Sequence, residues 1–407
     1  MQLTHVARGS RRGLVLAGGG LVDALGTGLF LVLIPVYVVV RLGIDPVQVG
    51  VVVGVANLIA LASPGPAGWL SDRIGAGGVW TFLLLVRAVG YAAFPFVSSF
   101  WAYAVLLCVL GLADRASTPV QQLFLLQSES PENRSRAMAV LRTARNIGMS
   151  AGLLLGGVVV SIGTDTAYFT GFAINAASFA VLLAVVRLLI RRGSGPLPVS
   201  AEPAEPAVES PERRKAVLKD PRYLTLVAGN AILLLHDSVL FTLLPLWIIT
   251  RTPLADGWVG PLLAINTVLT VGLQVPLTRW TRTIPAARRT AIRALVPLLV
   301  ATGCFFGAEN ASADVVLLVA VLAVVLMTVG ENMHSVSAFE LSYRLAPERS
   351  MGAYLGAFDF GQAVQFAVGP PFMTVVVLRG ALLGWGALGA AFAVGTVLVA
   401  AAARKKS

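Results

Sequence analysis

Long apolar runs with few charges inside them recur along this chain, near residues 14–40, 47–70, 79–97, 100–127, 137–161 and 166–190, and again near 222–250, 257–278, 289–308, 313–339, 351–377 and 380–403. Each is about as long as the 20 or so residues a helix needs to cross the hydrocarbon core of a bilayer. Lipid offers backbone amides no water, so such a run is confined to a helix, which bonds its own backbone. The expected fold class is therefore an all-α integral membrane protein of twelve transmembrane helices. Composition agrees, with 57% hydrophobic and 13% charged residues where a soluble domain carries roughly 25% charged.

The runs fall into two sets of six, and the sets resemble each other. Pro35, Gly50 and Pro66 recur at one constant spacing as Pro245, Gly260 and Pro276, and LVLIPVYVVV (31–40) lies over FTLLPLWIIT (241–250). Ser130-Pro131-Glu132 aligns in the same way, at a slightly larger offset, with Ala346-Pro347-Glu348. A module written twice, with binding where the repeats meet, is the usual plan of secondary transporters. We expect a six-helix bundle over 1–190, a cytoplasmic linker over 191–221 and a second bundle over 222–407. The linker's prolines and charges cannot support a core. Its segment ERRKAVLKD reads either as a short helix on the inner membrane surface or as tether.

The net charge of +11 is sorted by side of the membrane rather than gathered on one face, which argues against a nucleic-acid partner. With the N-terminus inside, Arg41, Arg251 and Arg379 fall in outer loops, Arg87, Arg115 and Arg145 fall within helices, and the remaining Lys and Arg are cytoplasmic. Both termini are thus expected in the cytoplasm. Trp69, Trp80, Trp101, Trp247, Trp258 and Trp280 lie near helix ends, where an amphipathic ring suits the headgroup layer. The first run is too long for a cleaved signal. Cys108 and Cys304 lie within helices, offer neither disulfide framework nor metal spacing, and read as packing residues. Arginine far outnumbers lysine and Ala, Gly and Val abound, which points to a GC-rich bacterial genome and the bacterial inner membrane.

Between helices 2 and 3 the chain reads Gly68-Trp69-Leu70-Ser71-Asp72-Arg73-Ile74-Gly75. Here, and in its helix number and linker position, it resembles the major facilitator superfamily, whose signature in this loop is Gly-x-Leu-x-Asp-Arg-x-Gly followed by basic residues. The resemblance implies a cytoplasmic gate motif of Gly68, Leu70, Asp72, Arg73 and Gly75. Asp72 would latch onto the start of helix 11 near Ser350 and Met351, and Arg73 would pair with a carboxylate at the inner end of helix 4. The basic residues that usually follow are replaced by Ala76 and Gly77, and the second half has Pro276-Leu277-Thr278-Arg279-Trp280-Thr281-Arg282 with no aspartate, so gating by this motif is expected to be asymmetric. Helix 5 carries Gly148, Gly152, Gly156 and Gly157, a seam of small residues that lets backbones approach in lipid. It also resembles a motif of drug/proton antiporters of this superfamily, which place proline where this chain has Leu153. Gly369-Pro370-Pro371 in helix 11 can supply a kink near the equivalent place.

Charge near the bilayer centre costs several kcal/mol unless it faces a cavity or a partner, so intramembrane ionisable residues mark the chemistry. Asp23 lies midway along helix 1, Asp114 and Arg115 along helix 4, His236 and Asp237 along helix 7, Glu331 and His334 within helix 10, and Asp359 in helix 11 beside Gln362 and Gln365. In the resembled family helices 1, 4, 7 and 10 line the central cavity. Neighbours on a helix point about 100° apart, so Asp114 and Arg115 cannot face the same place. We expect Arg115 to approach Asp23, leaving Asp114 for Arg87 or Arg145. Glu331 and His334 share a face. Histidine titrates near pH 6.5, and desolvation moves a carboxylate toward the same range, so this set can exchange protons with His236 or Asp237 opposite. Structural ion pairs holding the helices together explain the same residues. A metal site lacks familiar ligand spacing, and Asn57, Asn266 and Gln274 read as interhelical glue.

These readings describe a monomeric transporter in the lipid bilayer that exports a small amphipathic or hydrophobic compound in exchange for protons. It would use no cofactor, since no ATP-binding Gly-x-x-x-x-Gly-Lys motif is present, and it shows no catalytic constellation of an enzyme. The alternative is a symporter or uniporter importing a small polar metabolite, a sugar or organic acid, with Arg115 meeting its carboxylate.

Overall fold

A computed structural model of the chain describes residues 11–128, 131–191, 217–309, 311–347 and 350–404. Among them, eleven helices are long and apolar enough to cross a membrane, and one bent pair brings the number to twelve. We label them α1 (Val15–Arg41), α2 (Pro46–Ala60 with Pro64–Ile74, bent by 41°), α3 (Ala76–Phe96), α4 (Phe100–Leu125), α5 (Thr143–Ile162) and α6 (Asp165–Arg191), then α7 (Pro221–Arg251), α8 (Asp256–Leu273), α9 (Ile284–Gly307), α10 (Ala313–Leu345), α11 (Ala353–Leu378) and α12 (Ala381–Ala402). The protein is a multi-pass, all-α membrane protein. Most of the linker, residues 192–216, and the extreme termini lie outside the described residues.

The chain divides into two compact units, residues 1–44 with 55–202 and residues 45–54 with 203–407. The division thus runs through α2. Its opening residues belong to the second unit, where Asp45 pairs with Arg379 at 3.0 Å.

In the first unit α5 lies against α1 along the glycine seam. A Cβ on Gly148 would stand 2.1 Å from the Leu21 carbonyl oxygen, and one on Gly152 2.1 Å from that of Leu25. Backbone sits where a side chain would go, so only glycine permits this approach. Gly156 meets Val32, and Gly157 is buried. With Leu153 in place of proline, α5 runs unbroken within a longer helix, Pro131–Ile162.

Irregular backbone accompanies proline in three of the long helices, where it lacks the N–H and collides with the preceding turn. After Pro35, α1 continues as a π-helix over Tyr37–Arg41, and after Pro370 and Pro371, α11 continues as one over Phe372–Leu378. α7 breaks at Leu234, resumes over Leu235–Ser238 and passes through a third π-helix, Val239–Leu243, just before Pro245. α4 and α9 carry Pro119 and Pro297 within unbroken helices. Freed backbone groups inside a bilayer survive only where protein covers them, and the broken stretch of α7 is buried.

At its first turn α7 is tied down. Asp220 caps it by accepting from the backbone N–H of Arg222 and Tyr223 at 3.1 Å, and Arg222 donates to the carbonyl of Ala402 at the end of α12 and to that of Arg404 just beyond it. Trp69, Trp101, Trp258 and Trp280 are exposed as expected for headgroup anchors. Trp80 and Trp247 correct that expectation. Both are buried, Trp80 against Phe124 and Trp247 against Phe305, because each falls on the inward face of its helix despite lying near a helix end.

Candidate functional site

Each unit encloses a polar cluster at mid-helix depth. In the first, Asp23 of α1, Arg87 of α3 and Asp114 of α4 converge. Arg87 is 3% exposed, with Nη1 2.5 Å from Asp23 Oδ1 and Nε 2.5 Å from Asp114 Oδ1. Arg145 of α5 approaches the second oxygen of Asp23 at 3.3 Å and donates to Gln121 Oε1 at 2.8 Å. Tyr91, one turn beyond Arg87 on the same face of α3, donates its O–H to Asp114 Oδ2 at 2.8 Å. The Arg87 guanidinium also lies 3.9 Å from the centre of the Phe179 ring, which stacks on Tyr91.

Two carboxylates thus meet two guanidiniums, and the charges balance without a proton. The expected pairing of Asp114 with Arg87 is present. Both oxygens of Asp23, which Arg115 was expected to approach, are met by Arg87 and Arg145. The angular offset along α4 turns Asp114 toward α3 and leaves Arg115 half-buried on another face. Arg87 stood out in the sequence as an intramembrane charge. Tyr91, Gln121 and Phe179 were missed, and only the turn-apart spacing of Arg87 and Tyr91 could have drawn Tyr91 in.

The second cluster forms where α7 is broken. His236 is buried there, its Nδ1 3.0 Å from Asp237 Oδ1 and its Nε2 3.1 Å from His334 Nδ1 of α10. His334 is fully buried, and among the described residues neither its Nε2 nor His236 Nδ1 has a hydrogen-bond partner. Glu331, one turn earlier on α10, is half-buried and accepts at Oε2 from Asn266 Nδ2 of α8 at 2.7 Å. The same Asn266 amide lies 3.0 Å from Thr328 Oγ1, and Asn332 donates to Thr270 Oγ1 at 3.2 Å, so α8 and α10 are stitched at two levels. Gln365 of α11 donates to Ser238 Oγ at 2.7 Å.

The structure therefore brings His236, Asp237, His334 and Glu331 into one neighbourhood. Asp359 is exposed. Among the described residues no group of three His, Cys, Asp or Glu side chains is placed to hold a metal ion.

In the loop motif, Gly75 adopts φ +84°, a backbone conformation reserved for glycine, and separates α2 from α3. Gly68 lies inside the helix Pro64–Ile74 with open space where a side chain would stand. It makes no close approach. Leu70 is half-buried, Asp72 and Arg73 are exposed, and the Arg73 guanidinium lies 3.8 Å from the centre of the Trp69 ring. Residues 129 and 130 at the inner end of α4, where a carboxylate partner for Arg73 was expected, lie outside the described residues.

Comparison with known proteins accords with this architecture. The sequence matches the Major Facilitator Superfamily over residues 16–370. It is 26% identical to the multidrug resistance protein MdtH of Cronobacter sakazakii over 354 residues, covering 84% of this chain and 81% of that protein. It is 25% identical to MdtH of Escherichia coli strain SE11 over 349 residues, with the same coverage. Among solved structures, the nucleoside transporter NupG superposes with a TM-score of 0.70 at 16% identity, covering 96% of this chain and 97% of that one. A bacterial homologue of the human lysosomal transporter Spinster, inward-facing and occupied, gives 0.70 at 14% identity over 97% and 95%. Those structural likenesses establish a shared fold. With the family matched across most of its length, the chain belongs to the Major Facilitator Superfamily and is a multi-pass membrane transporter.

Proposed function

We propose that this protein exports a small amphipathic or hydrophobic compound in exchange for protons, by alternating access. The observation that carries the reading is the cluster of the second unit, where Asp237 and Glu331 are met by imidazoles and an amide, groups whose charge or bonding changes when a proton arrives. The relatives named for multidrug resistance support the direction of transport. The first cluster carries its own counter-ions. We read Asp23, Asp114 and their arginines as a fixed anchor, and place Arg115 and Asp359 along the cargo path. The gate motif, with Asp72 latching near Ser350 and Met351, would close the cytoplasmic side. We place the protein in the bacterial inner membrane as a monomer with both termini cytoplasmic, working without cofactor or enzyme activity.

Inverted membrane vesicles energised to an acidic interior test this. A pH-sensitive dye is recorded while antibiotics, dyes and lipophilic cations are added, with Glu331→Gln beside the wild type. Export by antiport predicts compound-triggered proton efflux in the wild type alone. Efflux from neither, with counterflow uptake of a labelled sugar or organic acid, would replace export by import of a polar metabolite.

A further inference from the structure

Two arginines stand on the exposed face of α9. Arg289 and Arg293 are four residues apart and continue, turn by turn, into Val296 and Val300, so one stripe begins basic and becomes apolar. The first half carries the same stripe on α3. Gly78, Phe82, Leu85 and Val89 lie at one constant offset from Arg289, Arg293, Val296 and Val300, and each of them is exposed. The fold thus builds this face without charge in one half and with two charges in the other. Sorting of charge by side of the membrane does not ask for them, because Arg279 and Arg282, before the start of α9, already supply it.

Depth sets this pair apart from the arginines before the helix. α9 has 24 residues, Ile284–Gly307, about 36 Å of helix and so about 6 Å more than the hydrocarbon core of a bilayer. Arg293 lies about 14 Å along it from Ile284. With the whole excess placed on the Ile284 side, its Cα is still about 8 Å inside the core. The carbonyl of Trp280, whose exposed ring suits the headgroup layer, accepts from Thr290 Oγ1 at 3.2 Å, so that layer is level with Arg289 and Arg293 is one turn deeper. Side chains on a helix lean toward its N-terminus, so the Arg293 stem runs back toward Arg289 and the headgroups. Other arginines at this end of the unit are engaged. Arg222 donates to the carbonyls of Ala402 and Arg404, Arg288 to that of Ala400 and Arg344 to that of Arg282, with Glu340 paired to Arg344. Arg289 and Arg293 make no such contact among the described residues.

We propose that Arg289 and Arg293 hold the phosphodiester of an anionic phospholipid between their guanidiniums, at the Ile284 end of α9. The paired N–H donors of a guanidinium match the free oxygens of a phosphodiester. The lipid is anionic rather than zwitterionic because the chain has five arginines and no acid from Gly257 to Ala308, so a choline or ethanolamine head would bring a cation with no carboxylate on this stretch to meet it. It is a lipid rather than an acidic protein segment because Arg293 rises from below the headgroups, where a soluble partner does not reach. Charge left unmet at that depth costs several kcal/mol, and a lipid phosphate drawn to the arginines offsets the cost.

Native mass spectrometry of the full-length protein in detergent micelles, titrated with phosphatidylglycerol and separately with phosphatidylcholine, reads the site, with thermal unfolding recorded beside it. The wild type is expected to retain phosphatidylglycerol in preference and to gain thermal stability from it. Arg289→Gln together with Arg293→Gln is expected to weaken that retention by about tenfold or more. Unfolding of this variant in phosphatidylcholine alone should stay at the wild-type midpoint, because no hydrogen bond or ion pair within the described protein is lost. Arg279→Gln with Arg282→Gln removes the same charge ahead of the helix and is expected to cost less. Equal losses from the two pairs would show diffuse attraction and overturn the site, as would wild-type retention of the two lipids alike. Should the glutamine pair fail to accumulate, Arg289→Lys with Arg293→Lys keeps the charge but not the fork. It is expected to hold phosphatidylglycerol more weakly than the wild type, and unchanged affinity overturns the proposal. Stabilisation by soluble glycerol phosphate as strong as that by phosphatidylglycerol would put free phosphate in place of lipid and overturn it too.

Discussion

At the scale of single residues, Arg87 is a buried charge held from several sides, by two carboxylates and an aromatic face. Removing one partner of a buried pair leaves a charge uncompensated and costs about 3–5 kcal/mol. Asp23→Ala strands Arg87 with Asp114 alone and leaves Arg145 only its amide, so we expect a loss of that size, read as a fall in the thermal unfolding midpoint. Arg145 is 30% exposed and its removal leaves Asp23 paired with Arg87. Arg145→Ala should therefore cost about 1 kcal/mol or less. Equal losses for the two variants would contradict the ranking of the two ion pairs. The presence of these charges was legible in the sequence because charge is rare in apolar runs. Their pairing was legible only as a choice of Arg87 or Arg145 for Asp114, because a rotation of one helix by a single residue exchanges Asp114 for Arg115, and only packing fixes that rotation.

At the scale of elements, the α1–α5 contact and the break in α7 are the features that position the clusters. The glycine seam was legible because four small residues fall at helical spacing, and the structure supplies its partner, the backbone of α1 at Leu21 and Leu25. Gly152→Ala forces a methyl group toward a carbonyl 2.1 Å away and is expected to destabilise the protein by about 1–3 kcal/mol. Gly18→Ala, on α1 where nothing lies within 4 Å, should leave stability unchanged or raise it. Parallel thermal unfolding of the two checks this, and equal behaviour would show that the seam is not tightly packed. The break at Leu234 was not legible. No proline or glycine marks it, and Pro245 lies beyond the π-helix that follows. It places His236 off the regular helix and against His334, so the juxtaposition that matters most for the proposed chemistry arose from irregular backbone rather than from spacing.

At the scale of the whole molecule, the twelve spans were legible because lipid leaves an apolar run of this length only one backbone solution. The repeat is deeper than its prolines suggest. Arg41 and Arg251 stand at the same spacing as Pro35 and Pro245. Each ends the first helix of its half and donates to the closing carbonyls of a second helix, Arg41 to Gly163 just beyond α5 and Arg251 to Leu378 at the end of α11. The two halves nevertheless carry different chemistry, arginine with aspartate in one and histidine with acid and amide in the other. That difference, more than the family, makes proton exchange the central claim. The protein purified into liposomes, given an imposed pH gradient and no membrane potential, tests it most directly by the movement of ethidium. The account predicts movement against the ethidium gradient that stops when a protonophore collapses the pH difference. Movement only down its own gradient, at the same rate with and without the pH difference, would contradict it.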